Sequence, residues 1–265
     1  MPELPPRPAP ASPPLRRPRA VLFDLDDTLL ETSDSATRVW RETAEAFAGE
    51  IGRPVEVFGP VLDAARRWYW ADPERNRRGR LDVQRSREEV TLRGLEQLYA
   101  GGPGSSPRPA DLPGLARRFA GRYAAERVRS MRFFPGALGA VRAFRAAGVK
   151  LALITNGDAA AQREKVEHFK LAPLFEGVFI EGELGYGKPD PRVFEAALSA
   201  CGGVAPADAW CVGDHLGWEV RAAQARGLSG VWVDWRGEGL PEEGPRAGIT
   251  PDRIVRRVSE LTDVL

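Results

Sequence analysis

Short apolar runs alternate with stretches of helical period along most of the chain. The first run, Arg19-Ala-Val-Leu-Phe-Asp-Leu-Asp26, ends in acids, and similar runs recur at residues 149–155, 178–180, 209–213 and 230–234. Runs this short, with no polar alternation, predict strands buried on both faces. Between them apolar residues return every three or four positions over residues 136–147, 158–169, 191–201 and 218–226, which predicts amphipathic helices. The alternation predicts an α/β fold: a Rossmann-like parallel sheet core with helices on both faces, whose ligands bind beyond the carboxyl ends of the strands. Most of the expected strands end in Asp, Thr or Gly-Asp, so polar chemistry is expected at that edge.

Two segments break the pattern. From residue 32 to 130 no strand is expected, and helical periods cover residues 37–48, 55–71, 85–100 and 112–128. The organisation expected is therefore an α/β core at 19–31 and 131–265 carrying an all-helical cap at 32–130, with the Gly- and Pro-rich residues 101–109 as a flexible loop inside the cap. Residues 1–18 are dense in proline, lack a periodic apolar pattern and have no apolar signal-peptide core, so a disordered tail is expected there.

Composition narrows the function classes. Lysine plus arginine number 38 against 37 acids, a net charge of +1, which provides no overall field for nucleic acid or anionic lipid. No run of about 18 apolar residues is present, so no membrane-spanning helix is expected. The two cysteines, Cys201 and Cys211, are too few for a disulfide framework and suit a reducing cytoplasm.

Four motifs sit at the expected strand exits. Asp24-Leu-Asp26-Asp-Thr28 places Asp24 and Asp26 on one side of the chain as it leaves the strand, so two carboxylates share a small volume. Such a pair can act as nucleophile and general acid/base, with a cation or a proton offsetting the repulsion. An acidic turn capping a helix is the alternative. Thr155-Asn156-Gly-Asp158 combines a hydroxyl, an amide and a permissive glycine ahead of a helix, either as an anion cradle or as an ordinary helix cap. Gly182 to Lys188 has the glycine and lysine spacing of a nucleotide-binding P-loop, but Pro189 stands where a Ser or Thr magnesium ligand is required, so that reading fails. Lys188 remains as a single cation on a rigid Gly-Lys-Pro turn. Finally, in Gly213-Asp214-His215-Leu-Gly-Trp218-Glu219, Asp214 can offer oxygen to a hard cation and Glu219 can orient a metal-bound water.

The order of these four motifs resembles the haloacid dehalogenase-like (HAD) hydrolase superfamily, in particular its phosphatase branch with a helical cap inserted after the first motif. The resemblance runs from about residue 19 to residue 265. It implies a magnesium-dependent phosphatase that hydrolyses a small-molecule phosphomonoester, of sugar-phosphate or nucleotide type, through an aspartyl-phosphate. Asp24 would be the nucleophile and Asp26 the acid/base; Thr155, Asn156 and Lys188 would bind the phosphoryl group. Magnesium would be held by the Asp24 carboxylate, the Asp26 backbone carbonyl and Asp214. Glu219 stands where the family usually has Asp, and an outer role near the metal is carried over to it. A phosphomutase or a haloacid dehalogenase on the same fold, or a non-catalytic phosphate-binding module, are the alternatives. The basic stretch from Arg75 to Arg87 could meet a second anionic group or simply face solvent, and the Trp68-Tyr69-Trp70 cluster could stack on substrate or fill the cap core.

Overall fold

The protein is described here from a computed structural model covering residues 15–100 and 108–265. Strand β1 (Ala20–Phe23) is wholly buried, and a tight turn leads from it to the short strand β2 (Leu30–Glu31). Five helices follow: α1 (Ser33–Ile51), α2 (Val55–Ala71), α3 (Pro73–Gly79), α4 (Val83–Tyr99) and α5 (Leu112–Ser130). The chain returns through β3 (Arg132–Phe133), which pairs antiparallel with β2. It then alternates: α6 (Ala137–Ala146), β4 (Lys150–Thr155), α7 (Ala159–His168), β5 (Gly177–Ile180), α8 (Glu181–Leu184), α9 (Pro191–Ala200) and β6 (Ala209–Gly213). A π-helical stretch (Leu216–Arg221) runs into α10 (Ala222–Gln224), before β7 (Ser229–Val233) and β8 (Arg253–Val255).

Six strands form one parallel sheet in the order β5-β4-β1-β6-β7-β8. Its two faces are covered by separate apolar clusters. Phe23, Val141, Phe144 and Trp210 lie on one side; Leu22, Ile154, Val193 and Phe194 lie on the other. Burial on both faces is why these strands read as continuous apolar runs rather than alternating ones. The Rossmann-like α/β fold expected from the alternation is the observed one.

Strand β1 lies between β4 and β6, where the chain order of the sheet reverses, the position at which ligands bind in open α/β sheets. Phe23 is level with Leu153 of β4 and with Val212 of β6, so Asp24, Thr155 and Asp214 leave the sheet along the same edge. The helices α1–α5 bury a core of their own, in which Trp40 meets Phe119 and Tyr123 edge-on at 5.1 Å each, and Tyr69 fills the centre. Tyr69 thus takes the core position left open in the Trp68-Tyr69-Trp70 cluster, while Trp68 lies between the guanidinium groups of Arg75 and Arg93.

Four local differences from the sequence expectation have simple causes. β2, β3 and β8 are two or three residues long, below the length at which an apolar pattern is readable. Helix α3 is polar almost throughout and is started by Asp72 and Pro73 rather than by apolar period. The expected helix at 218–226 begins at Leu216 with π geometry, a form found as short insertions near functional sites. The tail expected to be disordered as far as residue 18 is docked from Leu15, which packs on the main core, while Pro18 is buried; the rest of that expectation, and residues 101–107 of the loop, lie outside the described residues.

Candidate active site

The chain turns sharply after β1, since Leu29 and Leu30 both donate their backbone N–H to the Leu25 carbonyl. Asp27 sits in this turn at a positive φ of 56°, a conformation that Asp tolerates better than most residues. Its carboxylate accepts from the backbone N–H groups of Thr32 and Ser33 and from both hydroxyls, so Asp27 starts α1 and holds the turn. The acidic-turn reading therefore applies to Asp27, and Asp24 and Asp26 are left to face the sheet edge.

Asp24 is buried, and its oxygens are divided between two donors: Lys188 Nζ lies 2.5 Å from Oδ1, and the Thr28 hydroxyl donates to Oδ2 at 3.0 Å. Burial, partly offset by Lys188, raises its pKa to about 6, so it is ionised near neutrality. Lys188 is almost fully buried. Burial opposes its charge, but Asp24 and Glu219 outweigh that and raise its pKa above the usual lysine range. Its backbone is fixed by Asn156, whose Oδ1 accepts from the Lys188 N–H at 2.8 Å while Nδ2 donates to the Lys188 carbonyl at 2.6 Å. Gly187 makes this approach possible, because a Cβ there would stand 2.5 Å from Asn156 Oδ1. Asn156, expected to touch a phosphoryl oxygen, thus uses both side-chain ends to position the lysine.

Glu219 also lies differently from the expectation. It is buried, with Oε1 2.6 Å from Lys188 Nζ and Oε2 accepting from the His215 N–H at 2.9 Å. Both oxygens are used, and the glutamate is the second counter-ion of Lys188 rather than a group turned toward a metal-bound water. The extra methylene lets the side chain cross Gly213, where any Cβ would come within 2.1 Å of Glu219 Cγ. His215 starts the π-helical stretch, its Nδ1 accepting from the N–H groups of Gly217 and Trp218, and its ring stacks on Trp218 at 4.2 Å. Burial pushes its pKa down to about 4, so it is neutral; capping and packing account for it.

Asp26 is held by two residues that sequence reasoning missed. Lys165 Nζ lies 2.7 Å from both carboxylate oxygens, and Gln162 Nε2 lies 2.8 Å from Oδ2. Burial alone would raise the Asp26 pKa, but Lys165 and the two hydrogen bonds outweigh it and hold the carboxyl below its usual range. The same Gln162 nitrogen is 2.6 Å from the buried Thr155 hydroxyl. A hydroxyl that accepts from Gln162 keeps its own proton to donate. At the start of α7, Asp158 caps the Ala161 N–H and Glu181 accepts from the Gly157 N–H, so these groups are satisfied within the protein. The other oxygen of Glu181 meets Arg80 of the α3–α4 junction at 2.7 Å, a direct tie from the helical segment to the sheet edge.

Asp214 completes the group. Its carboxyl has no hydrogen-bond or ion-pair partner among the described residues, and burial together with Asp24, Glu219 and Asp27 raises its pKa to about 9. With Asp26 balanced by Lys165, Asp24 and Glu219 share the single charge of Lys188, which leaves one negative charge over; Asp214 keeps its proton near neutrality and adds a second only when a cation displaces that proton. No three His, Cys, Asp or Glu side chains among the described residues converge into a cage for an ion by themselves. The donor set is instead two carboxylates, Asp24 and Asp214, at the sheet edge, which fits a hard divalent cation that keeps several waters or substrate oxygens.

These features define the class: an α/β enzyme with an acid pair, a buried lysine and an unbalanced carboxylate at the switch point of its sheet. A family model described as haloacid dehalogenase-like hydrolase matches residues 18–227. Over 259 residues the chain is 34% identical to the phosphoserine phosphatase of Thermus thermophilus, covering 93% of this chain and 97% of that one. It is 27% identical over 257 residues to the glyceraldehyde 3-phosphate phosphatase of Methanopyrus kandleri, with the same coverage. Among solved structures, the 2-haloacid dehalogenase of Pseudomonas syringae is similar, with a TM-score of 0.59 at 27% identity over 93% of this chain and 97% of that one. The chain belongs to the haloacid dehalogenase-like hydrolases, and its full-length relatives include phosphatases. No described helix is long and apolar enough to cross a membrane.

Proposed function

We propose that the protein is a phosphatase that hydrolyses a small-molecule phosphomonoester through an aspartyl-phosphate on Asp24, with magnesium as its cofactor. The observation that carries this reading is the charge arrangement at the sheet edge: an ionised, buried Asp24 gripped by Lys188, beside a carboxyl on Asp214 that has no cationic or hydrogen-bond partner among the described residues. The phosphatase relatives at full length support the same reaction class.

Lys188 orients Asp24 for attack on phosphorus and faces the negative oxygens of the transferring group, where a fixed cation in a water-poor site is most effective. The Thr155 proton, left free by Gln162, is available to a phosphoryl oxygen. Asn156 acts through Lys188, whose backbone it clamps. Bound through the carboxylates of Asp24 and Asp214 and the Asp26 carbonyl, magnesium would supply charge neutralisation for the phosphoryl oxygens. The ionised Asp26, as Lys165 and Gln162 hold it, is prepared to take a proton from the water that attacks the acyl phosphate. The same carboxyl, once protonated, returns that proton to the leaving oxygen of the next substrate. Glu219 keeps Lys188 charged and in place.

Carbon–halogen hydrolysis on this fold is the second reading, favoured by the dehalogenase among the similar structures. It needs no acid for an oxygen leaving group and gives Asp214 no task. The test is phosphate release from p-nitrophenyl phosphate with magnesium and with excess chelator, run beside halide release from 2-chloropropionate. Magnesium-dependent phosphate release is expected; halide release without phosphate release would replace the proposal with the second reading.

A further inference from the structure

A cavity of about 240 Å³ separates the helical segment from the sheet edge. Asp26, Asn156, Gln162 and Lys165 line it on one side, and Arg80, Arg87 and Arg127 on the other. Its volume is below the roughly 300–1,000 Å³ of pockets for drug-sized ligands, so it suits a metabolite of a few carbons.

The charges in this cavity are not equally occupied. Arg80 is paired with Glu181 and Lys165 with Asp26, while the Asp158 side chain is spent on capping α7. Glu164 is on the rim and exposed. Arg87 and Arg127 are left without an ion pair among the described residues. Both are half-buried; both rest near the Tyr123 ring, 5.3 and 6.0 Å from its centroid, and Arg127 donates one hydrogen bond, to the Ser35 hydroxyl at 2.9 Å. Burial and the neighbouring charge of Arg127 hold the Arg87 guanidinium below its usual pKa, outweighing the opposing influence of Tyr123, Asp158 and Glu164. Two guanidinium groups backed by one aromatic ring, facing a small cavity that also contains the acid/base of the reaction, present a fork of donors suited to a planar or tetrahedral anion.

Resting on the phosphatase reading, we propose that Arg87 and Arg127 form a subsite for a second anionic group of the substrate, so that the enzyme selects small phosphomonoesters carrying a carboxylate or a second phosphate a few atoms from the reacting one. The subsite lies on α4 and α5, outside the four motifs, and accounts for a basic residue of the Arg75–Arg87 stretch that faces the site instead of solvent.

The experiment compares kcat/KM for two substrates that differ at one carbon, 3-phosphoglycerate and glycerol 3-phosphate, with glycerol 1,3-bisphosphate and glycerol 3-phosphate as the pair for a second phosphate. For the wild type the anionic member of at least one pair should be favoured by about thirtyfold or more, as for a lost charge-assisted pair of hydrogen bonds. Which pair shows the preference identifies the anion. In Arg87→Gln and in Arg127→Gln that ratio should fall toward one, mainly through KM, and Arg87→Lys should keep part of it. The ratio is read within one preparation, so partial unfolding of a variant does not change it. A wild-type ratio near one for both pairs, or a ratio that survives both substitutions, overturns the subsite. Absence of phosphate release by the wild type from every substrate, p-nitrophenyl phosphate included, overturns the phosphatase reading itself and the subsite with it.

Discussion

At the scale of single residues the site is a set of unequal partnerships around Lys188. Both carboxylates that flank it have both oxygens engaged: Asp24 takes Lys188 and the Thr28 hydroxyl, and Glu219 takes Lys188 and the His215 N–H; in the proposed mechanism Asp24 is the one that attacks phosphorus. Asp24→Asn should therefore leave a folded protein with matching circular dichroism and turnover reduced by several orders of magnitude, because an amide forms no acyl phosphate. Residual phosphate release above about one per cent would remove Asp24 from the nucleophile's role. Glu219→Gln should act on stability first. Taking one partner from a buried ion pair typically costs about 3–5 kcal/mol, moderated here because Asp24 remains beside the lysine. Urea unfolding of this variant should show a midpoint clearly below wild type, and saturating magnesium should not restore full activity. A wild-type midpoint with only weakened magnesium dependence would return Glu219 to the metal's surroundings.

At the scale of elements, α7 contributes more than a helix start. Gln162 and Lys165 are three residues apart and so lie on one helical face, which turns both toward Asp26. Thr155 at the end of β4 and Asp26 beyond β1 are thereby joined through one amide. Lys165→Met removes the cation that opposes the burial of Asp26, so the Asp26 carboxyl should titrate at higher pH. The ionised form, which in the proposed mechanism accepts the proton of the attacking water, is then populated only at higher pH. The acidic side of the kcat profile should therefore move to higher pH, the direction in which loss of a close opposite charge shifts a carboxyl. A profile identical to wild type would show that Lys165 has no part in the proton transfers.

At the scale of the whole molecule the balance of charge sets how the fold should respond to the proposed magnesium ion. The chain is almost neutral overall, with a net charge of +1, yet its switch point holds three acids against one lysine once Asp26 and Lys165 are paired. A cation that binds this edge only in the folded state must stabilise the fold. At a concentration one hundred times its dissociation constant, magnesium should add about 2.7 kcal/mol to unfolding, read as a rise in the thermal midpoint. Asp214→Asn should abolish most of that rise, and a midpoint indifferent to magnesium in the wild type would count against the metal assignment without reference to activity.

What the sequence determined by itself is what local pattern can encode. Apolar runs ending in polar residues marked the five longer strands, and with them the edge on which Asp24, Asp26, Thr155, Lys188 and Asp214 meet, because burial on both faces is written into consecutive residues. The residues that position those groups were not readable in this way. Lys165 reaches Asp26 across 139 residues of chain, Arg80 reaches Glu181 across 101, and Arg127 reaches Ser35 across 92. Lys165 and Arg127 belong to polar helix faces and Arg80 to a polar helix junction, and their local pattern is the same whether they meet solvent or a partner. The same limit explains Glu219, whose added methylene changes its partner only because Gly213 leaves room for it to cross to Lys188. Only the packing of α4, α5 and α7 over the sheet edge decided which charges are paired and which face the cavity, since that depends on distances between segments and no local pattern carries them.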